Sequence, residues 1–308
     1  MPDDSFKPLL DRDMAIEGAS GLIGIARPAL REIINYSTNA VPRCIRDVPS
    51  SKDDTDVYVA PFVLFRHSIE VTDAIEVGLS RSCVAPMTPL LRSSFETALS
   101  LKYIFETDER RRSLAWLCGD THQRLRWRQV VQTRNVSPVF SAMIEDEFIR
   151  NVVEPEIQRL QAALDKPHMR EVVSEYQNQT RSYPNWYSLF GGPTNLRALA
   201  EHLGWRDYYD LCYRLWSSDV HATGGVDRTF KLTEGRQTID PIRYPGKLLA
   251  VASYAGSFLL DALATMTNRF RPTEEASREA WYKSEVRPAM ERIRKTPVKI
   301  KAQVRSGW

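Results

Sequence analysis

The sequence predicts an all-α, multi-helix bundle with one small β-hairpin near residues 229–240. Three observations carry that expectation. Apolar residues recur at three- and four-residue spacing through most of the 308 residues, the mark of amphipathic helices. Prolines such as Pro86, Pro89 and Pro167 stand where such patterns begin, and a proline in a first helical turn costs little. Period-two alternation occurs in one credible place, Thr229 to Asp240, around Glu234-Gly235. A single helical domain over residues 1–290 is expected, with N-terminal helices within 1–48 as a peripheral attachment and residues 291–308 as a basic tail.

Residues from about Leu9 to Ile45 carry Leu22, Ile23, Ile25, Ala26, Leu30, Ile33 and Ile34 at helical spacing, and Pro28 is expected to kink or divide the segment. Gly18, Gly21 and Gly24 either allow close helix packing or loosen the helix. A polar loop, Pro49 to Asp56, breaks the pattern. The next helix runs from about Val57 to Leu79 with Phe62, Phe65, Ile69, Thr72, Ile75 and Leu79 inward. Glu70, Asp73 and Glu76 are spaced i,i+3, read as a solvated face because no Glu-x-x-His accompanies them.

The helix opened by Pro86 and Pro89 is apolar along Leu91, Phe95, Ala98, Leu101, Lys102 and Phe105, which makes it central. Arg92 and Glu96 lie i,i+4 on it, either a structural ion pair or part of a site, since burying either charge alone is expensive. From Asp108 to Arg134 a helix rich in arginine holds Trp116 and Trp127, expected to face inward. Further helices follow at Pro138 to Leu164 and Pro167 to Gln179. The aromatic, Gly- and Pro-rich loop Ser182 to Pro193 is expected to fold back onto the core and to wall the pocket near His221. A short helix with Thr194 as N-cap and Gly204 as C′ comes next, then one from about Asp207 to His221, then Tyr244 to Phe270 and Thr273 to Arg294.

A hydrophobic share of 43% and a charged share of 26% describe an ordinary globular protein. The net charge of +3 is too small to argue for nucleic-acid binding by itself. Of 42 basic residues 32 are arginine, which reflects either genome composition or a phosphate-facing surface. Cys44, Cys83, Cys118 and Cys212 lack metal-ligand or CxxC spacing and read as small buried hydrophobes in a reducing compartment. The N-terminus lacks the features of a signal peptide and no run of about 18 apolar residues is seen, so a cytoplasmic location without a membrane span is expected.

The candidate site is Tyr213 to Gly225. At about 100° per residue, Arg214, Ser217 or Ser218, and His221 fall on one helical face. A guanidinium can hold a phosphoryl oxygen while a nearby imidazole moves a proton. The only other Arg with a suitably spaced His, Arg197 with His202, points its side chains about 140° apart and is rejected on geometry. Arg92, Glu96 and Asp219 would form a supporting polar cluster; alternatively His221 caps its helix and Arg214 pairs with an acid such as Glu96. No cofactor and no metal is expected, because EF-hand, His-Glu-x-x-His and Cys/His patterns are missing.

The helix around Leu91-Arg92-Ser93-Ser94-Phe95-Glu96, followed more than a hundred residues later by Tyr213-Arg214 and Ser217 through His221, resembles the bacterial family called domain of unknown function 5677 over roughly residues 60–225. That resemblance implies an all-α fold. The Arg-x6-His pattern also resembles the HEPN ribonucleases, although Leu215 replaces the polar residue that often follows their arginine and this chain is much longer than a minimal four-helix unit. The second resemblance implies a metal-independent endoribonuclease of toxin or phage-defence type, its site assembled at a homodimer interface, with RNA as substrate and an inhibitory or activating protein partner. Arg214 would then bind the scissile phosphate and His221 would act on the 2′-hydroxyl or the leaving oxygen. The rival from another class is a non-catalytic helical sensor or adaptor that binds a small anion or a protein partner.

Overall fold

The computed structural model describes residues 10–49, 55–180, 183–214, 230–233, 236–239 and 242–298. In chain order its helices are α1 (Arg12–Arg46), α2 (Thr55–Ser80), α3 (Met87–Glu106), α4 (Glu109–Gln132), α5 (Pro138–Met143), α6 (Glu154–Leu164), α7 (Arg170–Asn178), α8 (Leu196–His202), α9 (Leu248–Phe270), α10 (Glu275–Trp281) and α11 (Arg287–Lys295). Between α8 and α9 lie a π-helical turn, Tyr209–Arg214, and two strands, β1 (Phe230–Thr233) and β2 (Arg236–Ile239). The strands pair antiparallel, with Phe230 opposite Ile239 and Thr233 opposite Arg236. The chain divides into two compact units, one of Met1–Asp47, Leu64–Lys102 and Trp205–Trp308, the other of Val48–Val63 and Tyr103–Gly204, where the sequence suggests one domain.

In the first unit α9 is the core helix. Leu248, Val251, Ala252, Ala255, Leu259 and Ala262 are fully buried, and small residues at so many inward positions let neighbouring helices come close. Gly256 marks one such approach, since a Cβ there would lie 3.2 Å from Ile33 of α1 and 3.2 Å from Met290 of α11. By length and composition α9 could also cross a membrane, which amends the expectation that no such stretch exists; here it is packed inside the unit.

Within the first unit α1 carries buried residues along its length. Leu30, Ile33, Ala26 and Cys44 of α1 are buried, and burial pushes the Cys44 thiol up to about 11. Trp281 stacks on Tyr36 at 3.8 Å and donates its indole N–H to Glu32 at 2.7 Å. Arg43 pairs with Glu274, and Arg271 with Asp47, each at 2.6 Å. Pro28 does not divide α1, because packing on both sides of it offsets a break worth about 3 kcal/mol. Close packing at Gly18, Gly21 and Gly24 is not seen, as nothing lies within 4 Å of a Cβ at any of them.

Glu76 departs from the solvated face expected of it. It is 3% exposed and accepts from Arg27 at 2.8 Å and Arg31 at 3.0 Å, one turn apart on α1. A buried carboxylate persists only when paired in this way. Glu70 and Asp73 stay in solvent, with Glu70 bonded to Arg66 at 2.8 Å.

In the second unit α4 is central, presenting Leu114, Ala115 and Cys118 inward, and burial lifts the Cys118 thiol to about 12. Arg124 and Arg128 converge on Glu156 of α6 at 3.0 and 2.6 Å. Trp127 faces solvent rather than inward, since nine residues from Cys118 amount to about half a turn. The helix expected over 138–164 breaks where Ile144 and Glu145 adopt extended backbone. Asn195, not Thr194, caps α8, its side chain accepting from Ala198 N–H at 3.0 Å, and Gly204 takes the left-handed φ of 71° at the other end.

If α1 belongs to the core, Leu30→Ala and Ile33→Ala each lower stability by about 2–5 kcal/mol in urea unfolding. Losses of about 0.5 kcal/mol, the scale of surface changes, would return α1 to the periphery.

Candidate functional site

Beyond Pro89 in its first turn, α3 buries Leu91, Phe95, Ala98, Leu99 and Leu101 completely, which leaves Arg92 and Glu96 on its flank. One turn apart, they meet with Nε to Oε1 at 2.9 Å, so the ion-pair expectation for them holds. Arg92 does more than pair. Its guanidinium lies 4.0 Å from the centre of the Tyr213 ring and donates to the Tyr213 hydroxyl. Tyr213 in turn stacks on Tyr209 at 4.9 Å. Burial raises the Tyr213 phenol above its ordinary value against the opposing pull of Arg92.

Arg214 follows directly and closes the π-helical turn, a geometry common at functional sites. Its side chain, with Ser217, Ser218, Asp219 and His221, lies outside the described residues. Of the candidates named from sequence, the structure therefore brings together Arg92 and Glu96, and adds Tyr213. It also adds His67, whose Nε2 is 3.1 Å from the Ser93 hydroxyl, three residues before Glu96 on α3. His67 had no distinguishing spacing in the sequence; only its position among the polar residues of α2 hinted at it.

The remaining described histidines have partners or packing of their own. His168 lies 2.9 Å from Asp56, which also takes Lys166 at 2.6 Å. His122 stacks on Tyr176 at 4.2 Å, and burial lowers its pKa. His202 bonds Glu106 at 2.8 Å, so the rejected Arg197–His202 pairing plays no part. Phe190 to Pro193, from the loop expected to wall the pocket near His221, line a cleft beside His202 instead, and His221 itself lies outside the described residues. Among the described residues no group of three or more His, Cys, Asp or Glu side chains could hold a metal ion.

Lys102, on the apolar side of α3, is matched by Asp261 of α9 at 3.8 Å, and its ammonium lies 5.4 Å from the Trp205 ring. Burial raises the Asp261 carboxyl, with Lys102 opposing, and Oδ2 is buried without a hydrogen-bond partner among the described residues.

A family model described as a family of unknown function, DUF5677, matches residues 58–237. The match spans α2 through β1, including Arg92, Glu96, Tyr213 and the stretch to His221. No curated protein and no solved structure matches the chain.

Two outcomes follow from this geometry. In a double-mutant cycle, Arg92→Ala and Tyr213→Leu should be non-additive in stability by about 0.5–1 kcal/mol; additive losses would mean that the stacking contributes nothing. For Asp261 the folded pKa lies above its ordinary 3.8, so the folded chain holds the proton longer and stability falls as pH rises through that window. Asp261→Asn should thus be stabilising at neutral pH, with the advantage vanishing on acidification below 3.8. An advantage that is the same at both pH values would show that ionisation of Asp261 carries no penalty.

Proposed function

We propose that this chain, which belongs to the DUF5677 family, is a metal-independent endoribonuclease of HEPN-like type that works as a homodimer. Arg214 clamps the scissile phosphodiester and His221 is the general acid/base. The attacking 2′-oxygen gives its proton to His221 and bonds to phosphorus, the P–O5′ bond breaks to leave a 2′,3′-cyclic phosphate, and the departing 5′-oxygen takes up the proton that His221 now carries. Ser217 or Ser218 orients the phosphate, and Asp219 supports the polar cluster.

The observation that carries this reading is the clamp on Tyr213. Arg92, itself held by Glu96, grips the side chain of the residue next to Arg214, and so anchors the start of the stripe to a buried helix. A catalytic guanidinium needs such an anchor, because a displacement of about 1 Å can cost a hundredfold in rate. Arg92 and Glu96 are therefore positioning residues, and His67 is a further histidine beside the same helix flank. A cytoplasmic role in toxin or phage defence, with a protein partner that restrains or activates cleavage, fits an RNA-cutting activity of this kind.

The test is cleavage of mixed cellular RNA in excess chelator by wild type, His221→Ala and Arg214→Ala. Wild type should cut, and His221→Ala should lose about a hundred- to ten-thousandfold in rate. Equal cleavage by all three proteins would sink the assignment. An anion-binding adaptor would instead show no cleavage, need Arg214 for binding and tolerate His221→Ala.

A further inference from the structure

In the second unit the outward side of α4 carries two aromatic rings and a guanidinium that the nuclease reading does not use. Trp127 is 53% exposed, so much of an apolar ring stands in water. One turn before it, Gln123 and Arg124 are exposed as well, so no aliphatic side chain covers the ring from that side. Tyr183, from the loop beyond α7, is 58% exposed. Arg126 meets both rings, its guanidinium carbon 4.4 Å from the centre of Tyr183 and 5.4 Å from that of Trp127.

Arg126 differs from the arginines around it. Arg124, Arg128 and Arg159 share Glu156 at 3.0, 2.6 and 3.6 Å, and Asp120 lies 3.8 Å from Arg124. Among the described residues no carboxylate or carbonyl engages Arg126, so its charge is unmatched and its N–H groups are unspent. With Arg126 included, four guanidiniums meet two carboxylates on this stretch, which leaves it positive.

The arrangement rests on packed structure. His122, one turn before Arg126, lies parallel to Tyr176 of α7 with ring centres 4.2 Å apart. Burial lowers the His122 pKa, which keeps that ring neutral, and raises the Tyr176 phenol, with Arg126 near enough to oppose the rise. One face of Tyr183 is taken by Arg126, and the exposure of both rings leaves ring surface of each to a ligand. Flat π surface beside an unmatched guanidinium fits a nucleotide strand, whose bases stack on any aromatic face and whose phosphates accept from arginine. Bases paired in a duplex are closed to such stacking, so the surface selects single strands. A membrane or a partner helix would require aliphatic residues around the rings, where Gln123 and Arg124 stand instead.

We infer that Trp127, Arg126 and Tyr183 bind single-stranded RNA, the rings stacking on bases and the guanidinium holding a phosphate. That the strand is RNA rather than DNA rests on the nuclease reading; the stacking does not. The test is a fluorescence-anisotropy titration of the full chain with a dye-tagged single strand of 2′-O-methyl RNA, which the proposed chemistry cannot cut because its 2′-oxygen carries no proton. The strand should saturate the protein, and the same sequence as a duplex should bind at least about tenfold more weakly. Trp127→Ala and Tyr183→Ala, both at exposed positions where the fold is retained, should each weaken binding about tenfold, the scale of one lost base stack, while Trp127→Phe keeps most of it. Arg126→Gln should flatten the dependence of log Kd on log salt by about 0.7, one phosphate contact on a single strand. No saturation, a duplex bound as tightly, single-stranded DNA of the same sequence bound about tenfold more tightly, or wild-type affinity in Trp127→Ala would overturn the inference. Binding of phosphatidylserine vesicles in place of the strand would overturn it too, in favour of a membrane surface. Because no cleavage is read, the RNA-cutting assignment can fail while this surface binds, and a failure to bind leaves the cleavage test untouched.

Discussion

The close approach of three helices at Gly256 governs the first unit. A residue without a side chain on α9 lets Ile33 and Met290 reach the same point from α1 and α11. Burial at that junction aligns α1 so that Arg27 and Arg31 reach Glu76 of α2. The ion pairs do not create the packing, since surface or half-exposed guanidiniums contribute little on their own. They instead satisfy a carboxylate that the packing has already removed from water. Beside this core, α3 sits with one face filled by leucine, alanine and phenylalanine, and only its flank is left to hold Arg92 and Glu96.

Helix existence was legible in the sequence because inward positions of α2, α3 and α9 repeat with helical period and are filled by apolar residues. What failed to show was the environment of particular polar residues. Glu76 looks like its exposed neighbours Glu70 and Asp73, and only the tertiary arrival of α1 distinguishes it. Trp127 reads as a core residue by type, yet its angle from Cys118 sends it outward. The place of α1 could not be judged from its own pattern, since the residues that cover Ile33, namely Gly256 and Met290, lie more than two hundred residues later. Asn195 and Thr194 are both acceptable caps by type, with Asn the better, and the choice between them depends on where the backbone turns.

The candidate site divides along similar lines. Arg92 and Glu96 could be paired from spacing alone, because four residues bring them to one face. Their engagement of Tyr213 joins segments 121 residues apart and has no local signature. The meeting of Arg126 with Tyr183 escaped notice for the same reason, since it joins α4 to a loop beyond α7. The positive φ of Phe190 is likewise invisible in sequence, although the Gly-Gly pair after it advertises a backbone under unusual demands.

The lengths of chain between contacting partners also bear on how the protein is made. Ile33 leaves the ribosome long before Gly256 and Met290, which it will touch, and the second unit is encoded in between. During synthesis the apolar face of α1 therefore spends most of translation without its permanent cover. Such contacts of high sequence separation form slowly, and an uncovered amphipathic helix is a natural client for chaperones. The first unit can close only after the last helices emerge, so truncation near the C-terminus should be as harmful to its assembly as damage to its core.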